Sequence, residues 1–221
     1  MILTIPNLLT ILRLLAAPSI AIMFLYFNRL YADWFALILF ISAATTDWFD
    51  GFLARSWKQE TKFGAMLDPI ADKAMVIIAL LIIVGYSSMS PWLVLPATII
   101  LFREVFVSGL REFLGNNSSS LSVTGLAKLK TTLQMLAIAT LFSQGIFEHY
   151  FVHSSKSFSL IEVSNVLDGS VQDTNGLIWK HNSMVWAGRC GLVFLWIAAA
   201  LTLITGWNYF LKAIPFLREK N

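Results

Sequence analysis

Apolar residues in this chain run in blocks of about twenty, the length an α-helix needs to cross the hydrocarbon core of a bilayer. Six such blocks are predicted as helical spans, at 8–27, 32–54, 65–86, 91–113, 126–147 and 186–210. Of the 221 residues 57% are hydrophobic and 13% charged, against about 45–50% and about 25% in soluble domains. The expected fold is all-α: a polytopic membrane protein built as a six-helix bundle, with 1–221 forming a single domain. The N-terminus lacks a basic leader and carries Arg13 inside its apolar run, so it reads as a retained first span.

Charge sets the expected topology. Arg55, Lys58, Lys62, Arg111, Lys128, Lys130, Lys212, Arg218 and Lys220 fall on one side of the spans, and positive residues accumulate on the cytoplasmic side. Both termini are therefore expected in the cytoplasm. The other side holds Arg29 and a connection at about 148–185, predicted as a solvated extracytoplasmic loop. Within it, His149 and His153 are four apart and could share a metal on a helix, but no third ligand converges on them. The net charge of +3 gives no argument for nucleic acid, and the lone Cys190 excludes an intramolecular disulfide.

The stretch that carries chemistry runs from Asp47 to Asp72, DWFDGFLARSWKQETKFGAMLDPIAD. Asp47 and Asp50 are three apart near the end of the second span, and Asp68 and Asp72 are four apart near the start of the third. On a helix either separation puts two side chains on one face, so a helical hairpin presents two carboxylate pairs at its cytoplasmic end. Clustered charge of this kind is costly in a membrane, at about 2.5–3.5 kcal/mol per group, and a hard dication relieves it. Oxygen-only ligands favour magnesium or manganese, and four carboxylates suit two ions bridging phosphate oxygens. Gly51, Ala54 and Gly64 keep the backbone approachable, and Arg55 can grip a diphosphate. Pro69 is expected in the first turn of its span, where a missing N–H does little harm. Helix capping is the competing explanation for Asp68, but not for Asp47 and Asp50, which lie toward the C-terminal end of their helix.

The spacing D-x2-D-G-x2-A-R-x8-G-x3-D-x3-D matches the signature of the CDP-alcohol phosphotransferase family at every fixed position, and the chain resembles that family. The resemblance implies a six-span homodimer with a site open to the cytoplasm. It implies that Asp47, Asp50, Asp68 and Asp72 hold two Mg2+ or Mn2+ ions and that Asp72 is the catalytic base. Asp50, Gly51, Ala54, Arg55 and Gly64 would line the CDP-diacylglycerol pocket.

The acceptor must be read elsewhere. The fourth span ends FREVFVSGLRE and the fifth begins GLAKLKTTLQM. Arg103 lies about 12 Å deeper than Arg111, and a buried arginine needs an anionic partner. Glu104 points about 100° away and is a poor sole partner, which favours a phosphorylated acceptor held by Arg103, Arg111, Lys128 and Lys130. Snorkelling to the interface is the competing account of Arg111 and Lys130. These segments, with IPNLLTILRLLAAP at the start, resemble the bacterial branch of the family that uses glycerol 3-phosphate as acceptor and makes phospholipid in the inner membrane. In that branch positions matching Asn7, Thr10 and Arg13 approach the site, and Thr131 is a further candidate. A family member with another acceptor, inositol phosphate or phosphatidylglycerol, remains open. A transporter would place its acids near the midplane in repeated halves, and neither feature is visible.

Overall fold

A computed structural model describes residues 4–56, 61–115 and 125–217. Among these the regular structure is entirely α-helical: α1 (Ile5–Tyr26), α2 (Arg29–Ser56), α3 (Lys62–Tyr86), α4 (Pro91–Leu114), α5 (Gly125–Ser155), α6 (Leu160–Leu167) and α7 (Leu177–Leu217). Each drawn span falls on one of these helices. Three segments, Asn7–Tyr26, Pro91–Leu114 and Leu177–Phe216, are long and apolar enough to cross a membrane. Helices α2, α3 and α5 are long enough too, but carry acidic and basic residues along their length. On α1 large apolar side chains face outward, with Leu15 64% and Leu25 75% exposed. Water would penalise such a surface, whereas lipid solvates it. The chain is a membrane protein.

Local chemistry sets the helix ends. Thr4 accepts from the Asn7 N–H and a proline sits in the first turn, so α1 starts where its orphan donors are served. Ser159 and Glu162 form a reciprocal capping box on α6. Asp173 accepts from the N–H groups of Leu177 and Ile178 at 2.8 and 2.9 Å and starts α7. Those backbone donors stabilise the charged forms. The Ser159 backbone N–H holds Glu162 below the usual carboxylate range, and the Ile178 N–H does the same for Asp173.

Two expectations need correction. The connection at 148–185 is largely helical: α5 continues to Ser155, α6 occupies Leu160–Leu167, and α7 begins at Leu177. At about 1.5 Å per residue, the 41-residue α7 is about 60 Å long, twice the thickness of the hydrocarbon core. Likewise α3 begins at Lys62, so Pro69 is its eighth residue and lies inside the helix rather than in its first turn. Its missing N–H leaves the Ala65 carbonyl without the usual helical donor.

Tertiary contacts divide the chain into two compact units. The first comprises Met1–Ile83 and Ile138–Gly191. Its interior uses small residues, with Ala17, Ala32, Ala36, Ala71 and Ala79 fully buried. Such residues let helices approach closely where apolar burial alone gives no drive for association in lipid. Phe24 and Phe142 pack 5.9 Å apart, and Arg29 ties Asp33 to Glu148 at 3.4 Å each. The second unit comprises Val84–Ala137 and Leu192–Asn221. Its core joins Val107, Leu110 and Leu114 of α4 to Tyr209 and Ala213 of α7. The Trp196 indole N–H donates to the Trp92 carbonyl at 3.0 Å, with the rings edge-to-face.

Candidate active site

In the first unit, α1 and α3 assemble a polar cluster from residues far apart in the chain. Asn7, Thr10 and Arg13 recur every three residues and therefore share one face of α1. All three are buried, at 3%, 2% and 5% exposure. The Thr10 hydroxyl donates to Asp68 Oδ1 at 2.5 Å, and Arg13 Nη1 donates to Asp72 Oδ1 at 3.0 Å. Arg13 Nη2 also reaches the Thr46 hydroxyl on α2 at 3.4 Å. A buried guanidinium is expensive in a membrane, and Asp72 supplies its countercharge. The Asp72 side chain keeps 39% exposure, so the pair is open to solvent on the aspartate side.

The third member of the α1 face explains a glycine. The Thr61 hydroxyl donates to Asn7 Oδ1 at 2.9 Å and accepts from the Gly64 N–H at 3.0 Å. A Cβ on Gly64 would lie 2.6 Å from Asn7 Oδ1. Gly64 thus lets α1 and α3 meet at the entrance to α3. It is buried against Asn7, an environment the spacing of the motif did not reveal.

Asp68 is the seventh residue of α3, two turns inside the helix, so capping does not account for it. Asp68 and Asp72 stand one turn apart and are both partly exposed. Carboxylate oxygens with access to solvent are the donor set a hard dication takes. Asp47, Asp50, Gly51, Ala54 and Arg55 lie on the helical backbone of α2, and their side chains fall outside the described residues. Among the described residues no three His, Cys, Asp or Glu side chains converge. His149 and His153 stack in parallel at 6.3 Å on α5.

The second unit holds the cationic residues. Arg103 is buried on α4, where Nη1 donates to Glu104 Oε1 at 3.1 Å and Nη2 to the Thr205 hydroxyl at 3.4 Å. Lys130 of α5, also buried, pairs with the same Glu104 oxygen. Glu104 is therefore a real partner of Arg103 despite its angular offset, because both long side chains can bend toward each other. It does not act alone. Two cations share one carboxylate, so the trio carries an excess positive charge. Burial rules out snorkelling as the account of Lys130, whereas Arg111 is exposed. Thr131 is exposed on α5, and the Lys128 side chain lies outside the described residues.

Sequence reasoning missed Tyr209. Its ring centroid lies 5.4 Å from the Arg103 guanidinium carbon and 5.5 Å from that of Arg111. A cleft of about 320 Å³ adjoins it, lined by Phe102, Arg103, Phe106, Leu203, Gly206, Trp207 and Phe210.

Residues 3–167 match the family model described as CDP-alcohol phosphatidyltransferase. The chain is 59% identical over 217 residues, 98% of each chain, to a Cereibacter sphaeroides protein named CDP-diacylglycerol–glycerol-3-phosphate 3-phosphatidyltransferase. Proteins of the same name are similar in Pectobacterium atrosepticum (45% identity, 62% of this chain and 75% of that one) and Escherichia coli K12 (34%, 93% and 92%).

Proposed function

The chain belongs to the CDP-alcohol phosphatidyltransferase family, and on that premise we propose that it transfers the phosphatidyl group of CDP-diacylglycerol to sn-glycerol 3-phosphate, releasing CMP. The observation that carries this reading is the α1–α3 cluster, in which Thr10 and Arg13 hold the two acids of the third helix. The names of relatives similar over nearly the whole chain support the choice of acceptor.

In this account Asp47, Asp50, Asp68 and Asp72 would hold two magnesium or manganese ions, which when bound neutralise charge on the diphosphate. The remaining work falls to the chain's own groups. Asp72 takes the proton from the primary hydroxyl of glycerol 3-phosphate. That oxygen bonds to the phosphorus carried by diacylglycerol, and the bond from that phosphorus to the oxygen of CMP breaks. Arg13 fixes the Asp72 carboxylate and Thr10 fixes that of Asp68, so neither has to be ordered as the reaction proceeds. Arg55 binds the diphosphate beside Gly51, Ala54 and Gly64. Arg103, Arg111, Lys128 and Lys130 bind the acceptor phosphate, and the pairing of Arg103 and Lys130 on one Glu104 oxygen, which brings two of these cations together, supports that role. Phosphoryl transfer demands positioning and charge stabilisation above all, and this inventory supplies both.

The enzyme would work as a homodimer of six-span protomers in the bacterial inner membrane, with both termini and the active site cytoplasmic. CDP-diacylglycerol then keeps its acyl chains in the bilayer while its head group meets a water-soluble acceptor. The test is turnover by purified protein given CDP-diacylglycerol with glycerol 3-phosphate, inositol phosphate or phosphatidylglycerol in parallel. Glycerol 3-phosphate should be the preferred acceptor; faster turnover with another would reassign the reaction within the family.

A further inference from the structure

The face that α7 turns toward α4 in the second unit is built around one side chain. Thr202, Thr205, Gly206, Tyr209 and Ala213 recur at helical spacing and are all buried. At Gly206 a Cβ would lie 3.0 Å from Arg103 Cγ, so the glycine admits the stem of the arginine. The residue immediately before it, Thr205, accepts from Arg103 Nη2. Three residues beyond Gly206, the Tyr209 ring lies within 5.5 Å of the guanidinium carbons of both Arg103 and Arg111. Those arginines are separated by two turns, about 12 Å of rise along α4. One ring therefore engages two cations that the helix alone would leave apart. Arg103 Nε is buried and has no hydrogen-bond acceptor among the described residues, and the Tyr209 ring adds an electron-rich neighbour to the same guanidinium, 5.4 Å from its carbon.

We propose that Tyr209 is a positioning residue for acceptor binding: its ring sets the orientation of the Arg103 and Arg111 guanidiniums, and so the affinity for a phosphomonoester acceptor. The inference rests on the reading of those arginines as acceptor-phosphate ligands. Tyr209 touches neither substrate; it acts through the two cations. Two like charges attracted to a common ring are held nearer each other than repulsion would leave them, and a phosphate dianion is the ligand such an arrangement suits.

The test uses the full-length protein purified in detergent, with steady-state kinetics in both substrates for Tyr209→Leu, Tyr209→Phe, Arg103→Gln and Arg111→Gln. Tyr209→Leu should raise the KM for glycerol 3-phosphate about fivefold to tenfold, the scale of a lost partly desolvated cation–π pair, while the KM for CDP-diacylglycerol stays within about twofold. Tyr209→Phe keeps the ring and should stay near wild type. Fluorinated phenylalanines at 209 hold the shape constant while draining the ring face of negative charge, so they remain informative if the leucine variant does not fold. Along that series the glycerol 3-phosphate KM should climb. A flat series, or an equal rise in both KM values with Tyr209→Leu, overturns the proposal. If Arg103→Gln and Arg111→Gln raise the acceptor KM while the series is flat, the positioning role alone falls. If the arginine variants leave that KM unchanged, the acceptor-site reading falls with it.

Discussion

Arg13 on α1 donates to the Asp72 carboxylate on α3 across 3.0 Å, joining residues 59 apart in sequence. Arg13 is buried and Asp72 is partly exposed, so the contact has a sealed cationic side and an open anionic one. That asymmetry suits a carboxylate that must present itself to a substrate while its orientation is fixed from behind.

Replacing Arg13 tests that relationship. Arg13→Gln should lower kcat by about tenfold or more, matching a lost charged hydrogen bond of about 1.5–3 kcal/mol. Arg13→Lys should recover only part, because an ammonium cannot reach Asp72 and Thr46 with the fixed fork of a guanidinium. Steady-state kinetics on folded, purified variants provides the comparison, and full activity in Arg13→Gln would remove the arginine from the mechanism.

Gly64→Ala should destabilise the protein by about 1–3 kcal/mol, since its Cβ would lie 2.6 Å from an Asn7 oxygen already held by Thr61. Asn7→Ala in the same chain should offset part of that loss by clearing the space. Thermal unfolding of both single variants and the double variant in detergent measures the coupling. Additive effects would mean the two residues do not meet as described.

Glu104→Gln should cost about 3 kcal/mol or more of stability, because it takes the shared carboxylate from two buried cations. Arg103→Gln should be milder for folding, yet raise the KM for glycerol 3-phosphate about tenfold or more. Unfolding curves and acceptor kinetics on both variants separate the structural carboxylate from the binding cation. Unchanged acceptor kinetics in Arg103→Gln would confine that arginine to a structural role.

The acids should divide by role. Chelation should abolish activity, and magnesium or manganese should restore it. Asp47→Asn or Asp50→Asn should raise the magnesium requirement, whereas Asp72→Asn should lose turnover that added magnesium does not recover. Magnesium titrations of activity, with metal binding followed independently by manganese electron paramagnetic resonance, distinguish these outcomes. Equal rescue of all three would end the assignment of Asp72 as base.

The side chains of Asp47 and Asp50 lie outside the described residues, but the placement of Asp68 and Asp72 one turn apart was legible in sequence, because a helical spacing of four maps directly onto one face. The α1 triad was legible for the same reason. Helix ends were less so. Hydropathy stops at Lys180 and His181, but a helix does not: no glycine or proline interrupts 177–187, and Asp173 caps its start. Pro69 misled in the other direction, since proline commonly opens helices and here sits inside one. Contacts such as Tyr209 with Arg103 span 106 residues and leave no periodic trace, so only packing reveals them.

Transfer of the phosphatidyl group to glycerol 3-phosphate is tested by following both products at once. Purified full-length protein is given CDP-diacylglycerol, magnesium and radiolabelled glycerol 3-phosphate in mixed micelles, and CMP release is compared with label recovered in lipid. CMP and labelled phosphatidylglycerol phosphate should appear in equal amounts, and both should be lost in Asp72→Asn. CMP released without label entering lipid, or no reaction by folded protein with magnesium present, would contradict that transfer.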